Sequence, residues 1–255
     1  MRTDQEQNRR CVAKRHAGVA FGGRAVYETA MITAILSAGD DEAGLAMTLA
    51  ALVPAATEGV VRDAIVVDGG HATAAAIADA AGCVLVRGGG AEGLRRAAER
   101  GRGDWLLFLP AGSVLEAGWQ AEARAFVERT LLAGGARRPA AAFRLARAET
   151  GWRARRAEWL AALRAHLFAA PCEGQGLLVE RATYRALGGH RPLAAMAEVD
   201  LARRIGRRHL TILRSRAFVG GGTGDAGLAR ALRNAICLAA FVLRLPAGVI
   251  GRIAA

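Results

Sequence analysis

The stretch "GDWLLFLPAGSVLEAGW" (103–119) decides the fold. Residues 105–109 form an unbroken apolar run of strand length, and Pro110-Ala111-Gly112-Ser113 stops it abruptly. A strand that is apolar on both faces belongs to a parallel sheet covered by helices on each side. Ligands of such sheets bind just past the carboxyl ends of the strands. The turn at 110–113 is therefore where chemistry is expected, yet it carries no ionisable side chain.

Upstream, apolar strands alternate with helical patterns. "MITAILSA" (31–38), "DAIVVD" (63–68) and "CVLVR" (83–87) read as strands. Asp40, Asp41 and Glu42 open the helix after the first, where acids suit the positive end of a helix dipole. An alanine-rich helix begins near Thr73, and "GGGAEGLRRAAERG" (88–101) reads as a glycine turn opening a basic helix. Downstream the pattern predicts a helix over 119–132, a strand over 140–146 and a long helix over 152–168. Next come a short strand and helix within 174–190, a helix over 196–206 and the strand "HLTILR". Repeated strand–helix units predict an α/β fold, a doubly wound and mostly parallel sheet flanked by helices in a single domain.

Residues 1–30 are mixed polar and basic without a sustained period, and fit either a disordered leader or an over-extended start before Met31; the direct opening of a strand at Met31 favours the second. The main domain is expected over 31–225. The segment 226–255, with Arg230, Arg233 and Arg244 among apolar residues, reads as an amphipathic helix. It packs back on the domain or lies in a membrane interface.

The chain has 255 residues and is 53% hydrophobic, enough for a sizeable core. Its net charge is +12, with Lys14 the only lysine. Arginines spread along an Ala- and Gly-rich chain reflect composition as readily as a partner. No nucleic-acid-binding module and few stacking aromatics accompany them. Four cysteines, far apart and without a CxxC pair, make neither a zinc site nor a disulfide framework and fit a reducing, cytoplasmic compartment. The apolar run 235–250 contains Arg244 and Pro246 and is shorter than the ~20 residues of a spanning helix.

Five segments in order, "ITAILSAGDDEAGLAMTLAAL", "IVVDGG", "GDWLLFLPAGS", "GQGLLVERATYRALGG" and "AEVDLARRI", resemble the family 2 glycosyltransferases of the GT-A fold, in particular a short subgroup of about this length. The resemblance runs from Met31 to the C-terminus. It implies an inverting glycosyltransferase, moving a sugar from a nucleotide-sugar donor to a hydroxyl acceptor that is unknown and could be lipid-linked. It implies a cytoplasmic place, with peripheral contact at the inner face of the membrane. On the matching positions, Asp68, Gly69 and Gly70 would meet the nucleoside, with Asp41 and Arg87 beside them. Glu198 would be the catalytic base, and Gln175 and Gly176 would lie on the acceptor side.

The chain also departs from the pattern. Glu198 stands where an Asp is usual, and Ala197 replaces the acid before it. The run after Gly70 is His71-Ala72-Thr73 in place of a Ser and a second Asp. Where the family holds a divalent metal with an Asp-x-Asp motif, Pro110-Ala111-Gly112 offers no carboxylate, so no metal ligands are assigned and a Mn or Mg cofactor is doubtful. Arg87, Arg95 and Arg96 are the candidates to balance diphosphate charge instead. These departures leave a second expectation open: a GT-A-like protein that binds nucleotide or a partner without transferring sugar. Asp200 is expected to pair with an arginine, and His190 to be a solvated loop histidine.

Overall fold

The computed structural model describes residues 31–39, 41–134, 139–147, 174–193 and 197–219. The expected leader, the helix over 152–168 and the C-terminal amphipathic helix lie outside the described residues.

The first half is built of β1 (Ile32–Ala38), α1 (Glu42–Thr57), β2 (Val61–Asp68), α2 (Ala72–Ala80), β3 (Val84–Arg87), α3 (Gly90–Arg100) and β4 (Trp105–Pro110). The second half has β5 (Ser113–Leu115), α4 (Trp119–Leu132), β6 (Ala140–Arg147), β7 (Leu177–Glu180), α5 (Arg181–Ala186), α6 (Ala197–Ile205) and β8 (Leu210–Val219). The eight strands of the described residues join one sheet in the order β3-β2-β1-β4-β7-β6-β8-β5. The pairs β2–β3, β1–β2, β1–β4 and β6–β8 are parallel; β4–β7, β6–β7 and β5–β8 are antiparallel. The expected α/β architecture is therefore present, and every antiparallel pair involves a strand of the second half.

Strand pleat divides the core into two layers. Trp105, Leu107 and Leu109 point to one face of β4, against Leu45 and Leu52 of α1, Ala74 of α2 and Phe126 of α4. Leu106 and Phe108 point to the other, with Ala97 of α3, Tyr184 of α5, and Leu201 and Ile205 of α6. Both faces of β4 are thus dry, which accounts for its continuous apolar run, and each such side chain contributes about 1.5–3 kcal/mol by leaving water.

The order β3-β2-β1-β4 fixes where the chain changes direction. From β1 it steps outward to β2 and β3, then returns to the other side of β1 as β4. Right-handed crossovers require α1 and α2 on one face and α3 on the other, as observed. The crevice between the carboxyl ends of β1 and β4 is the switch point where open α/β sheets bind ligands.

Candidate functional site

The parallel register aligns the carboxyl ends. Ala38 pairs with Asp68 and Asp68 with Arg87, while Ser37 pairs with Pro110. Hence the expected nucleotide residues at the ends of β2 and β3 share one row, and the Pro110-Ala111-Gly112 turn stands at its β4 side. Ala111 N–H donates to Ser37 O at 3.0 Å, tying that turn to β1 across the switch point.

Asp68 is 4% exposed. Its Oδ1 accepts the backbone N–H groups of Gly70 at 2.9 Å and His71 at 2.8 Å, and His71 Nδ1 lies 3.5 Å away. Burial pushes the carboxyl up, but the His71 and Gly70 N–H groups and the nearby imidazole outweigh it and hold Asp68 below its ordinary value. Both backbone bonds fall on Oδ1, so Asp68 braces the turn into α2 while Oδ2 stays outside that brace. Gly70 has φ +123°, which an L side chain rarely adopts. Gly69 packs under Gly89: a Cβ on Gly89 would sit 3.2 Å from the Gly69 Cα.

Asp41 caps α1, accepting Gly44 N–H at 2.8 Å. It also reaches across the crevice, since a Cβ on Gly112 would lie 3.0 Å from Asp41 Oδ2. The Asp41 carboxylate thus stands against the β4 turn. Among the described residues no group of three His, Cys, Asp or Glu could hold a metal ion. The residues at this turn do not fit a divalent cation, which needs several hard oxygen ligands.

The three expected arginines do not act as one cluster. Arg87 is exposed at the end of β3. Arg96 folds back, donating from Nη2 to Arg87 O at 2.7 Å and lying 3.9 Å from Glu92. Arg95 projects instead towards Tyr184 and Arg185 of α5, because adjacent helix positions diverge by about 100°.

Gln175 and Gly176 come to the same edge. β7 runs antiparallel to β4 with Leu177 opposite Phe108, so the two preceding residues flank the last residues of β4. Gln175 is 1% exposed, and a Cβ on Gly176 would meet Leu109 at 2.8 Å. Ser113, the first residue of β5, is fully buried with its Oγ unpaired.

Glu198 is half-buried in the first turn of α6. Asp200, two residues on, has the arginine partner expected of it: Arg204 Nε donates to Oδ2 at 2.7 Å, and Arg191 lies 3.6 Å from Oδ1. The Arg204 fork also donates to Leu187 O at 2.6 Å and Gly189 O at 2.7 Å, clamping α6 to the end of α5.

His190 corrects its sequence reading. It is 0% exposed, edge-on to Phe108 at 4.7 Å, with Nδ1 2.9 Å from the Tyr184 hydroxyl. Burial, reinforced by Arg204, pushes its pKa down to about 4, while burial pushes Tyr184 up to about 12. The signal was the Gly188-Gly189 reversal, both at positive φ, which turns the chain back onto the tyrosine six residues before His190.

Neither a protein-family model nor a curated protein sequence matches the chain. Solved structures do. Glucosyl-3-phosphoglycerate synthase from Mycobacterium tuberculosis, with Mn2+, UDP and glucosyl-3-phosphoglycerate, superposes with TM-score 0.56 at 22% identity, over 87% of this chain and 83% of that one. This is a GT-A-like fold. A mannosyltransferase from Pyrobaculum calidifontis, in complex with GDP-Man and Mn2+, gives TM-score 0.56 at 14% identity, over 79% of this chain and 59% of that one. Identities this low carry the fold and nothing finer.

Proposed function

We propose that this chain binds a nucleotide-sugar at the carboxyl ends of β1–β4 and transfers the sugar, with inversion, to a hydroxyl acceptor. The observation that carries this is the row Ala38, Asp68 and Arg87 beside the switch point, floored by Gly69 and Gly70. Asp68 presents a braced carboxylate for nucleoside hydroxyl or N–H donors, and the glycines admit the ligand to the backbone. Asp41 stands on the opposite wall. Arg87, exposed and in register with Asp68, supplies a fixed cation for the departing diphosphate, since the turn at 110–112 has no metal-holding acids. Glu198 takes the acceptor proton, and Gln175 and Gly176 shape the acceptor side at the end of β4. The GT-A-like solved structures that hold UDP-glucose or GDP-Man support this reading of the fold.

A second reading rests on the same turn: with Pro110-Ala111-Gly112 and Ala197 in place of acids, the protein binds nucleotide without transferring sugar. One experiment separates them. UDP- and GDP-sugars are titrated in chelator, and hydrolysis and transfer to mixed hydroxyl acceptors are followed with wild type and Glu198→Gln. Turnover that Glu198→Gln abolishes, with donor affinity kept, supports transfer. Binding without turnover supports the second reading, and no binding sinks both.

A further inference from the structure

A cavity of ≈ 250 Å3, lined by charged and apolar groups alike, opens between α3 and α5. Arg95 and Glu99 line it from α3, Tyr184 and Arg185 from α5, and Gly188 and Gly189 close its end. Neither Arg95 nor Arg185 makes a hydrogen bond or ion pair among the described residues, although Glu99 lies one helical turn from Arg95. Arg95 and Glu99 act in opposite senses on the Tyr184 hydroxyl, and Arg185 acts on the guanidinium of Arg181 outside the cavity. The Tyr184 hydroxyl is held by His190, so the tyrosine serves the cavity as a rigid wall.

We infer that this cavity is a binding site for a phosphate group, free or on a small ester. Two unpaired guanidinium forks approaching from different helices suit a tetrahedral anion, whose oxygens point several ways. A planar carboxylate satisfies one fork bidentately and leaves the second unmet. The volume holds about eight waters at their liquid share, room for phosphate with a few attached carbons. Glu99 repels the anion itself, but it can accept a hydrogen bond from a hydroxyl on the ester.

The test is calorimetric titration of the full chain with inorganic phosphate, glycerol phosphate and, as the unphosphorylated control, glycerol. Phosphate and its ester should bind and glycerol should not; a tighter ester identifies the esterified source, equal affinities the free anion. Arg95→Gln/Arg185→Gln should weaken phosphate binding by roughly tenfold or more, the scale of a lost charged hydrogen bond. Both side chains are exposed and unpaired, so the melting temperature should hold. Glu99→Gln should tighten inorganic phosphate by removing a like charge. UDP affinity, measured in parallel, should be unchanged in the double variant, which keeps this site distinct from the strand-end row. Absence of phosphate binding by wild type, or equal phosphate affinity in the double variant, would overturn the assignment.

Discussion

The two ends of the same parallel strands are finished in opposite ways. At the amino ends, side chains lock neighbours together. Thr33 donates to Asp63 Oδ1 at 2.6 Å and accepts Gly103 N–H at 2.8 Å, and Asp63 Oδ2 accepts Arg102 N–H at 3.0 Å. Arg181 adds bonds to Gly103 O and Ala98 O. At the carboxyl ends, Asp68 and Asp41 brace only the turns that immediately follow them, and glycines at positive φ (Gly70, Gly88, Gly112) carry the chain away. One end is cross-linked by its own side chains. The other leaves backbone and a carboxylate oxygen for something else.

By this contrast, substitutions should cost stability at the amino end and ligand affinity at the carboxyl end. The largest stability loss is expected from Gly103→Ala, whose Cβ would fall 2.5–2.8 Å from Met31 O, Thr33 N and Ile32 C, all backbone. We expect a cost of at least ~3 kcal/mol, roughly 6–12 °C in melting temperature. A shift under a degree or two would mean the amino end is softer than described.

The second expectation concerns His190, the buried prop beneath the carboxyl half of β4. Its folded pKa, about 4, lies below the unfolded 6.5, so the unfolded chain binds the extra proton between those values. Stability is full above pH 6.5 and falls as pH drops towards 4, by about 3 kcal/mol in all. Denaturant unfolding of wild type and His190→Gln across this range should show the slope in wild type and flatten it in the variant. Parallel slopes would show that other groups dominate.

Third, Asp63→Ala should cost about 2 kcal/mol by orphaning Thr33 and the Arg102 N–H, without changing UDP affinity. Asp68→Ala should do the reverse, losing about 1–2 kcal/mol of nucleotide binding while the melting temperature moves less than in Asp63→Ala. Matching effects from the two would erase the contrast. The smallest expected effect is Ala111→Asp, within about 0.5 kcal/mol of wild-type stability because the site is only partly buried. Calorimetry with Mn2+ would then read whether one restored acid, beside Asp41, begins to attract a cation.

Long periodic elements were readable from the sequence: α4 over 119–132 and the core of each parallel strand follow from local pattern alone. β5 was not, because three residues show no period and its pairing with β8 spans about a hundred residues of chain. β8 runs on to Val219 because the alternation in "RSRAF" continues the pleat past Arg214. At the candidate site, sequence located the row ends but not their geometry. Which way Arg95 and Arg96, about 100° apart on the helix, face is set by how α3 packs on the sheet, and the burial of His190 by Phe108 and Tyr184, which local polarity does not reveal.

Only Ala111 and Gly112 separate β4, in the middle of the sheet, from β5 at its far edge. Two intervening residues let the flanking Cα atoms stand no more than about 11 Å apart. The strands from β4 through β7, β6 and β8 must therefore curl until the last of them returns to where the first began. The turn is the clasp of a hoop, held by covalent chain and ladder alike. Ala111 can be exchanged without opening the clasp, whereas Gly112, at φ +81° with Asp41 Oδ2 3.0 Å from where a Cβ would sit, holds the shape.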